Sequence, residues 1–209
     1  MKNTQNILWN KKELEILNSF TTPESIQDYL DNMPYNPEPT CRSPRRVMQD
    51  RKAHCMEGCI FACSALEFIG YKPLLVYIIA VRDDGHALAV YKKNNKFGSI
   101  AKSNFSGLRY RSPIYKNIRE LVVSYFENYF NTNRELTLRK YTHPFRLTKK
   151  HFANWQTRED ELYDVSDFID LQKTYTIVTP KEAKSLRMVD ERLFKAGLLG
   201  ADTKGLYKP

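Results

Sequence analysis

The chain reads as an α+β domain: a helical N-terminal part, an antiparallel β-sheet on which it packs, and further helices towards the C-terminus. Three observations lead there. Over the first seventy residues apolar side chains recur every three to four positions, and each cluster opens at a capping signal. From Pro73 the pattern changes to apolar runs of strand length, and after Ser112 the helical spacing returns. A length of 209 residues suits one such domain. At that size a fold buries roughly 70% of the surface its unfolded chain exposes and needs neither disulfides nor a structural metal.

Trp9 to Phe20 carries Leu14, Ile16, Leu17 and Phe20 at helical spacing. Thr22-Pro23 then supplies an N-cap followed by proline at the first helical position, opening a helix through Ile26, Tyr29 and Leu30. Asn36-Pro37-Glu38-Pro39 breaks the pattern, and Ser43-Pro44 repeats the cap before Val47 and Met48. The next strong helix is Met56 to Ile69, ended by Gly70. Leu74 to Val81 is a continuous apolar run, as in a strand buried on both faces. His86 to Tyr91 and Phe97 to Ala101 are two further strands, with Asn94-Asn95 where a hairpin turn would fall. Ser112-Pro113 is expected to cap a long helix, with Ile114, Ile118, Leu121, Val122, Tyr125, Phe126 and Tyr129 on one apolar face. Leu136 to Tyr141 reads as a strand, Arg158 to Leu171 as a polar helix and Tyr175 to Val178 as a short strand. A final helix starts at Thr179-Pro180, with Glu182 completing a capping box. Residues 1–142 would form the α+β core and 143–209 a helical extension packed on it, joined where His143-Pro144 interrupts the pattern.

Composition narrows the function classes. With 27% charged and 12% aromatic residues the chain is not disordered. The apolar run from Pro73 to Val81 is too short to cross a bilayer, which takes about 20 residues, so no membrane partner is expected. The first residues, MKNTQNILWNKKELEIL, lack a continuous apolar stretch and a cleavage site, which favours a cytoplasmic protein. Lys and Arg number 33 against 24 Asp and Glu, a net +9. These charges are interleaved along the chain, as on a solvated basic surface, and nucleic acid is a weaker reading. Leu108-Arg109-Tyr110-Arg111 is its best segment, because basic and aromatic residues alternate there.

Three of the 4 cysteines, Cys55, Cys59 and Cys63, recur every four residues, unlike a disulfide framework, and reduced thiols are expected. Cys55 stands at the start of the helix that Gly70 ends. Unpaired N–H groups and the helix dipole favour a thiolate there, lowering a cysteine pKa from about 8.5 into a range of roughly 3.5 to 7.5. The same N–H groups suit an oxyanion in acyl transfer. Cys59 and Cys63, flanked by Phe61, Ala62 and Leu66, read as buried apolar residues. His86, after Asp83-Asp84-Gly85 at the head of a strand, is the available base. Zinc would need paired ligands on a turn and a second pair elsewhere. Only Cys41 and His54 could extend the helical cysteines, so neither metal nor cofactor is expected.

Cys55 through Gly70 resembles the nucleophile helix of the transglutaminase-like superfamily, a branch of the papain-like Cys-His-Asp fold. In that family the cysteine opens a helix, a small residue follows four positions later, and a glycine ends the helix fifteen positions later. Cys55, Cys59 and Gly70 stand in those places. Gly70-Tyr71-Lys72-Pro73-Leu74 falls where the family's "GIPAR" strand begins. His86-Ala87-Leu88-Ala89-Val90-Tyr91, then Phe97, resembles its "HAWVEVY" strand, turn and tryptophan. The resemblance covers Pro44 to Asn104. It implies a Cys55–His86 thiol enzyme, a cysteine hydrolase or acyltransferase acting on an amide, peptide, ester or small acyl substrate.

The departure is the acid, because Ala101 falls at the family's aspartate. Asn104 is the first candidate to orient the imidazole, Ser103 the second, with Asp83 and Asp84 available from the neighbouring loop. Arg109 and Arg111 would lie near that third member and could bind a substrate carboxylate or phosphate. The missing acid leaves open a catalytically silent scaffold of the same fold that binds a peptide, nucleic acid or protein through its basic surface.

Overall fold

The computed structural model describes residues 8–209. The reading of the N-terminus as free of a leader falls partly on residues 1–7, outside the described residues.

Four helices precede the sheet: α1 (Lys11–Ser19), α2 (Pro23–Asp31), α3 (Pro44–Asp50) and α4 (Cys55–Phe68). The caps of α2 and α3 are those the sequence signals. Asn10 and Glu13 form a capping box on α1, Thr22 and Ser25 another on α2, and Ser43 caps α3, with Pro23 and Pro44 inside the first turns. α4 is buried around most of its circumference, which is why its sequence is apolar on every side. Gly70, just beyond its end, has φ +93°, the left-handed conformation that favours glycine.

Six strands form one antiparallel sheet in the order β4-β3-β2-β1-β5-β6. They are β1 (Leu74–Ala80), β2 (His86–Lys93), β3 (Lys96–Ile100), β4 (Arg111–Tyr115), β5 (Leu138–Thr142) and β6 (Thr174–Thr176). Asn94 and Asn95 join β2 to β3 with φ 48° and 62°, the paired left-handed geometry of a two-residue hairpin. Leu75, Ala87, Ala89, Tyr91 and Ile100 pack one sheet face against α1 to α4. Val76, Ile78, Leu88 and Val90 pack the other against Leu121, Val122, Tyr125 and Tyr129. The N-terminal helices therefore sit on the sheet as the sequence leads one to expect, and β1 and β2 carry apolar residues on both faces.

The long helix expected from Ser112 does not form. Arg111–Tyr115 is instead strand β4, paired to β3 through Phe97–Tyr115 and Ser99–Arg111. Pro113 is tolerated because β4 is an edge strand. Helix follows only as α5 (Ile118–Val123), capped by Asn117, and one 3₁₀ turn over Phe126–Asn128. Leu121, Val122, Tyr125 and Tyr129 are still buried, whereas Ile114 is 65% exposed.

Beyond residue 143, α6 (Tyr163–Asp170) is shorter than the helix read from 158. The helix at Thr179 is the single turn α7 (Pro180–Ala183), and a separate α8 spans Glu191–Gly197. Phe145, Phe152, Trp155, Leu162 and Val165 share the core cluster of α1 to α4, with Trp9. Among the described residues no helix is long and apolar enough to cross a membrane.

Candidate functional site

Cys55 is the first residue of α4, and His54 is its N-cap. The segment before the helix is stitched to an earlier loop. Asn36 N–H donates to the Ala53 carbonyl at 3.1 Å and Ala53 N–H to the Pro34 carbonyl at 3.4 Å. Glu57, fully buried one turn into α4, completes the join. Its carboxylate accepts Asn36 Nδ2 at 3.0 Å, Thr40 Oγ1 at 2.7 Å, Arg42 N–H at 3.2 Å and His54 N–H at 3.1 Å. A buried carboxylate is stable only when its oxygens are satisfied in this way. Loop 34–42 thus forms a wall beside Cys55.

The opposite wall is the β1–β2 connection. Cys55 Sγ lies 3.7 Å from the Gly85 carbonyl. A Cβ at Gly85 would come within 2.2 Å of the Tyr77 hydroxyl, so any larger residue would have to displace that ring. Tyr129 donates its hydroxyl to the Asp84 carbonyl at 2.7 Å, fixing the turn from the far sheet face. The next residue, His86, is buried and lies across from the Tyr125 and Tyr129 rings.

The thiol is acidified. Burial alone would push it up, but hydrogen bonds and positive charge from His54 and His86 outweigh this and bring Cys55 to about 6. Burial draws His54 down, while Cys55, Glu57 and the Thr40 carbonyl raise it to about 9. Its Nδ1 lies 3.2 Å from the Met56 N–H, a bond that only the neutral ring accepts, so the cap belongs to the unprotonated form of His54. Cys41 is pushed up to about 12 by burial, and Cys59 is likewise raised well above the ordinary thiol range. Cys59 and Cys63 are buried apolar residues, as their flanks suggest.

The ring nitrogen of His86 facing away from Cys55 meets a main-chain group. Nε2 lies 2.8 Å from the carbonyl of Leu108, at the end of a 3₁₀ turn over Ser106–Leu108. Asn104 does not reach it, because both ends of its carboxamide are bonded to the main chain of Asp202. Ser103 Oγ accepts Phe105 N–H at 3.0 Å. Asp83 is bonded to Thr137 Oγ1 at 2.6 Å and to Asp84 N–H at 2.9 Å. Asp84 faces the cleft instead. Arg109 pairs with Asp31 at 3.6 Å and lines a separate hollow with Lys102. The Arg111 guanidinium is consumed by Gly107, Tyr110 and Ser124 and lies 3.9 Å over the Tyr125 ring. Neither arginine borders the cleft at Cys55.

Two cavities meet at Cys55. The larger, about 430 Å³, is bordered by Tyr35, Thr40, His54, Tyr77 and Tyr163; the smaller, about 40 Å³, by His86, Ser103, Phe105 and Tyr129. Tyr35 borders both, and its phenol stands against the Cys55 backbone N–H. Burial, with Cys55 and Asp84 nearby, raises its pKa and keeps the hydroxyl protonated. Tyr35, Glu57 and the Leu108 carbonyl escape a motif-based reading, and so does His54 as cap and thiol neighbour. The one local signal is Glu57 three residues after His54, the spacing of a capping box.

Compared with known proteins, the chain matches no family model and no curated sequence. Among the described residues no group of three or more His, Cys, Asp or Glu could hold a metal ion.

Proposed function

We propose that the protein is a cysteine hydrolase or acyltransferase of transglutaminase-like type, acting on an amide, peptide or ester carbonyl. The observation that carries this reading is a thiol at a helix start, acidified to about 6 beside a buried histidine whose far nitrogen rests on a fixed acceptor.

His86 Nε2–H donating to the Leu108 carbonyl leaves Nδ1 with its lone pair free, the tautomer a general base needs. His86 takes the Cys55 proton and the thiolate attacks the carbonyl carbon. The oxyanion forms at the start of α4, beside the Cys55 N–H and the Tyr35 phenol that faces it. Protonated His86 then gives its proton to the leaving group, and water or an amine resolves the acyl-enzyme. A carbonyl fixes the tautomer as an asparagine or aspartate would, without the negative charge of an acid. A thiol nucleophile is most readily kept reduced in the cytoplasm, the setting proposed for this chain.

The test is the rate of iodoacetamide alkylation at Cys55 against pH, read by peptide mass spectrometry, in the parent chain and in His86→Ala. The expected result is a midpoint near 6 that moves up in the variant. A midpoint near that of free cysteine, about 8.5, unchanged by His86→Ala, would overturn the proposal. That outcome would favour the silent scaffold with a basic binding surface.

A further inference from the structure

Residues 202–207 run along the mouth of this site. Lys204, Gly205, Leu206 and Tyr207 border the larger cavity at Cys55, and Gly205 and Tyr207 border the smaller one as well. The segment is held mainly by its backbone. Asn104 Nδ2 donates to the Asp202 carbonyl at 2.7 Å, and Asp202 N–H donates to Asn104 Oδ1 at 2.7 Å. One buried carboxamide therefore satisfies both main-chain groups of a single residue, a contact indifferent to the side chain at that position. Further along, Thr132 Oγ1 donates to the Tyr207 carbonyl at 3.2 Å. Gly205 lies so close to the wall that a Cβ would come within 2.8 Å of the Tyr35 ring and 3.2 Å of Asn104 Nδ2.

We infer that residues 202–207, which include a 3₁₀ turn over Thr203–Gly205, are a resident occupant of the acyl-substrate cleft, that Asn104 is its main-chain clamp, and that the substrate displacing it is a peptide. The inference rests on the thiol-enzyme reading for the word substrate. A clamp that pairs with N–H and C=O of one residue recognises peptide main chain, as an added strand is recognised at a sheet edge. Small acyl compounds offer no such pair. The occupant is weakly held: Thr203, Lys204 and Tyr207 are exposed, so the segment can leave without disturbing the sheet.

The test uses the full chain and two thiol reagents, iodoacetamide as the small probe and fluorescein maleimide as the bulky one. Asp202→Pro deletes the N–H that Asn104 accepts, at a residue whose φ of −76° suits proline. Asn104→Ala removes the clamp itself. In both variants the bulky reagent is expected to modify Cys55 about tenfold faster, the effect of losing one or two hydrogen bonds, while iodoacetamide changes far less. A capped peptide with the sequence of residues 202–207 should protect Cys55 again in Asp202→Pro but not in Asn104→Ala. Circular dichroism confirms that each chain is folded. Equal maleimide rates in all three folded chains, or peptide protection that ignores Asn104, would overturn the inference. An iodoacetamide midpoint like that of free cysteine in every chain would sink the thiol-enzyme reading instead, leaving the maleimide result readable for the clamp.

Discussion

Two histidines act on one sulfur by different routes. His54 is both helix cap and neighbour of Cys55, and it stands ahead of His86 among the groups that lower the thiol. His86 contributes less charge stabilisation but holds the tautomer that can accept a proton. The two roles separate experimentally. His54→Asn keeps a good helix cap and removes the titrating ring, so the thiol midpoint should rise from about 6 by at least as much as in His86→Ala. Thiolate absorbance in the ultraviolet measures both shifts, and Cys41 and Cys59 stay silent there because burial raises them. On the proposed mechanism acyl transfer should fall further in His86→Ala, since the proposed base is gone. A midpoint that moves in His86→Ala alone would remove His54 from the account.

At the scale of elements, the site depends on how closely α4 approaches the chain leaving β3. Gly58 sits against Lys102, whose Nζ donates to the Leu30 and Met33 carbonyls at 2.8 and 2.6 Å. A Cβ on residue 58 would lie 2.4 Å from Lys102 Cβ, and neither backbone can retreat without breaking those bonds. Gly58→Ala should therefore destabilise the protein by roughly 1–3 kcal/mol, despite alanine's better helix propensity, as a urea midpoint would report. A midpoint equal to or above the parent's would show that the helix has slack. Local sequence carried the elements whose signals are local. Thr22-Pro23, Ser43-Pro44 and Asn94-Asn95 each specify a backbone conformation within a few residues, and all three are realised. Ile114 to Tyr129 misleads because its helical spacing is real, while the edge of β3 that claims Arg111–Tyr115 lies elsewhere in the chain. The site divides along the same line. Cys55 and His86 announce themselves by residue type and position. Asn104 is bonded 98 positions away, and a carbonyl such as that of Leu108 leaves no mark in the residue letters.

Across the whole molecule, stability against pH should record the half-buried Asp83 near the site more clearly than the thiol. Cys55 is lowered to about 6 while His54 is raised to about 9, shifts of similar size and opposite sense. Between about 6.5 and 9 the folded and unfolded chains bind equal numbers of protons at this pair, and it adds no slope. Asp83 behaves otherwise. Burial raises it from 3.8 to about 6, against the pull of Thr137, so between those values the folded chain holds a proton the unfolded chain has lost. Its favourable contribution is complete below about 3.8 and vanishes as pH rises through about 6, a change of at most about 3 kcal/mol. Asp83→Asn keeps an acceptor for Asp84 N–H at Oδ1, places an Nδ2 donor against Thr137 Oγ1 so that this bond reverses direction, and cannot ionise. Its stability relative to the parent should climb from about pH 4 to about pH 7 in urea titrations, and a constant difference would contradict the assignment. The carbonyl behind His86 has a consequence of its own. Every amino acid carries the same C=O, so no exchange of the residue at position 108 can delete the acceptor, as replacing an aspartate would in a conventional triad. Susceptibility to mutation passes to whatever holds the loop in place, above all Arg111, which ties the Gly107 carbonyl to Ser124. Loss-of-function changes in such a protein would be found among residues that never touch the reacting atoms.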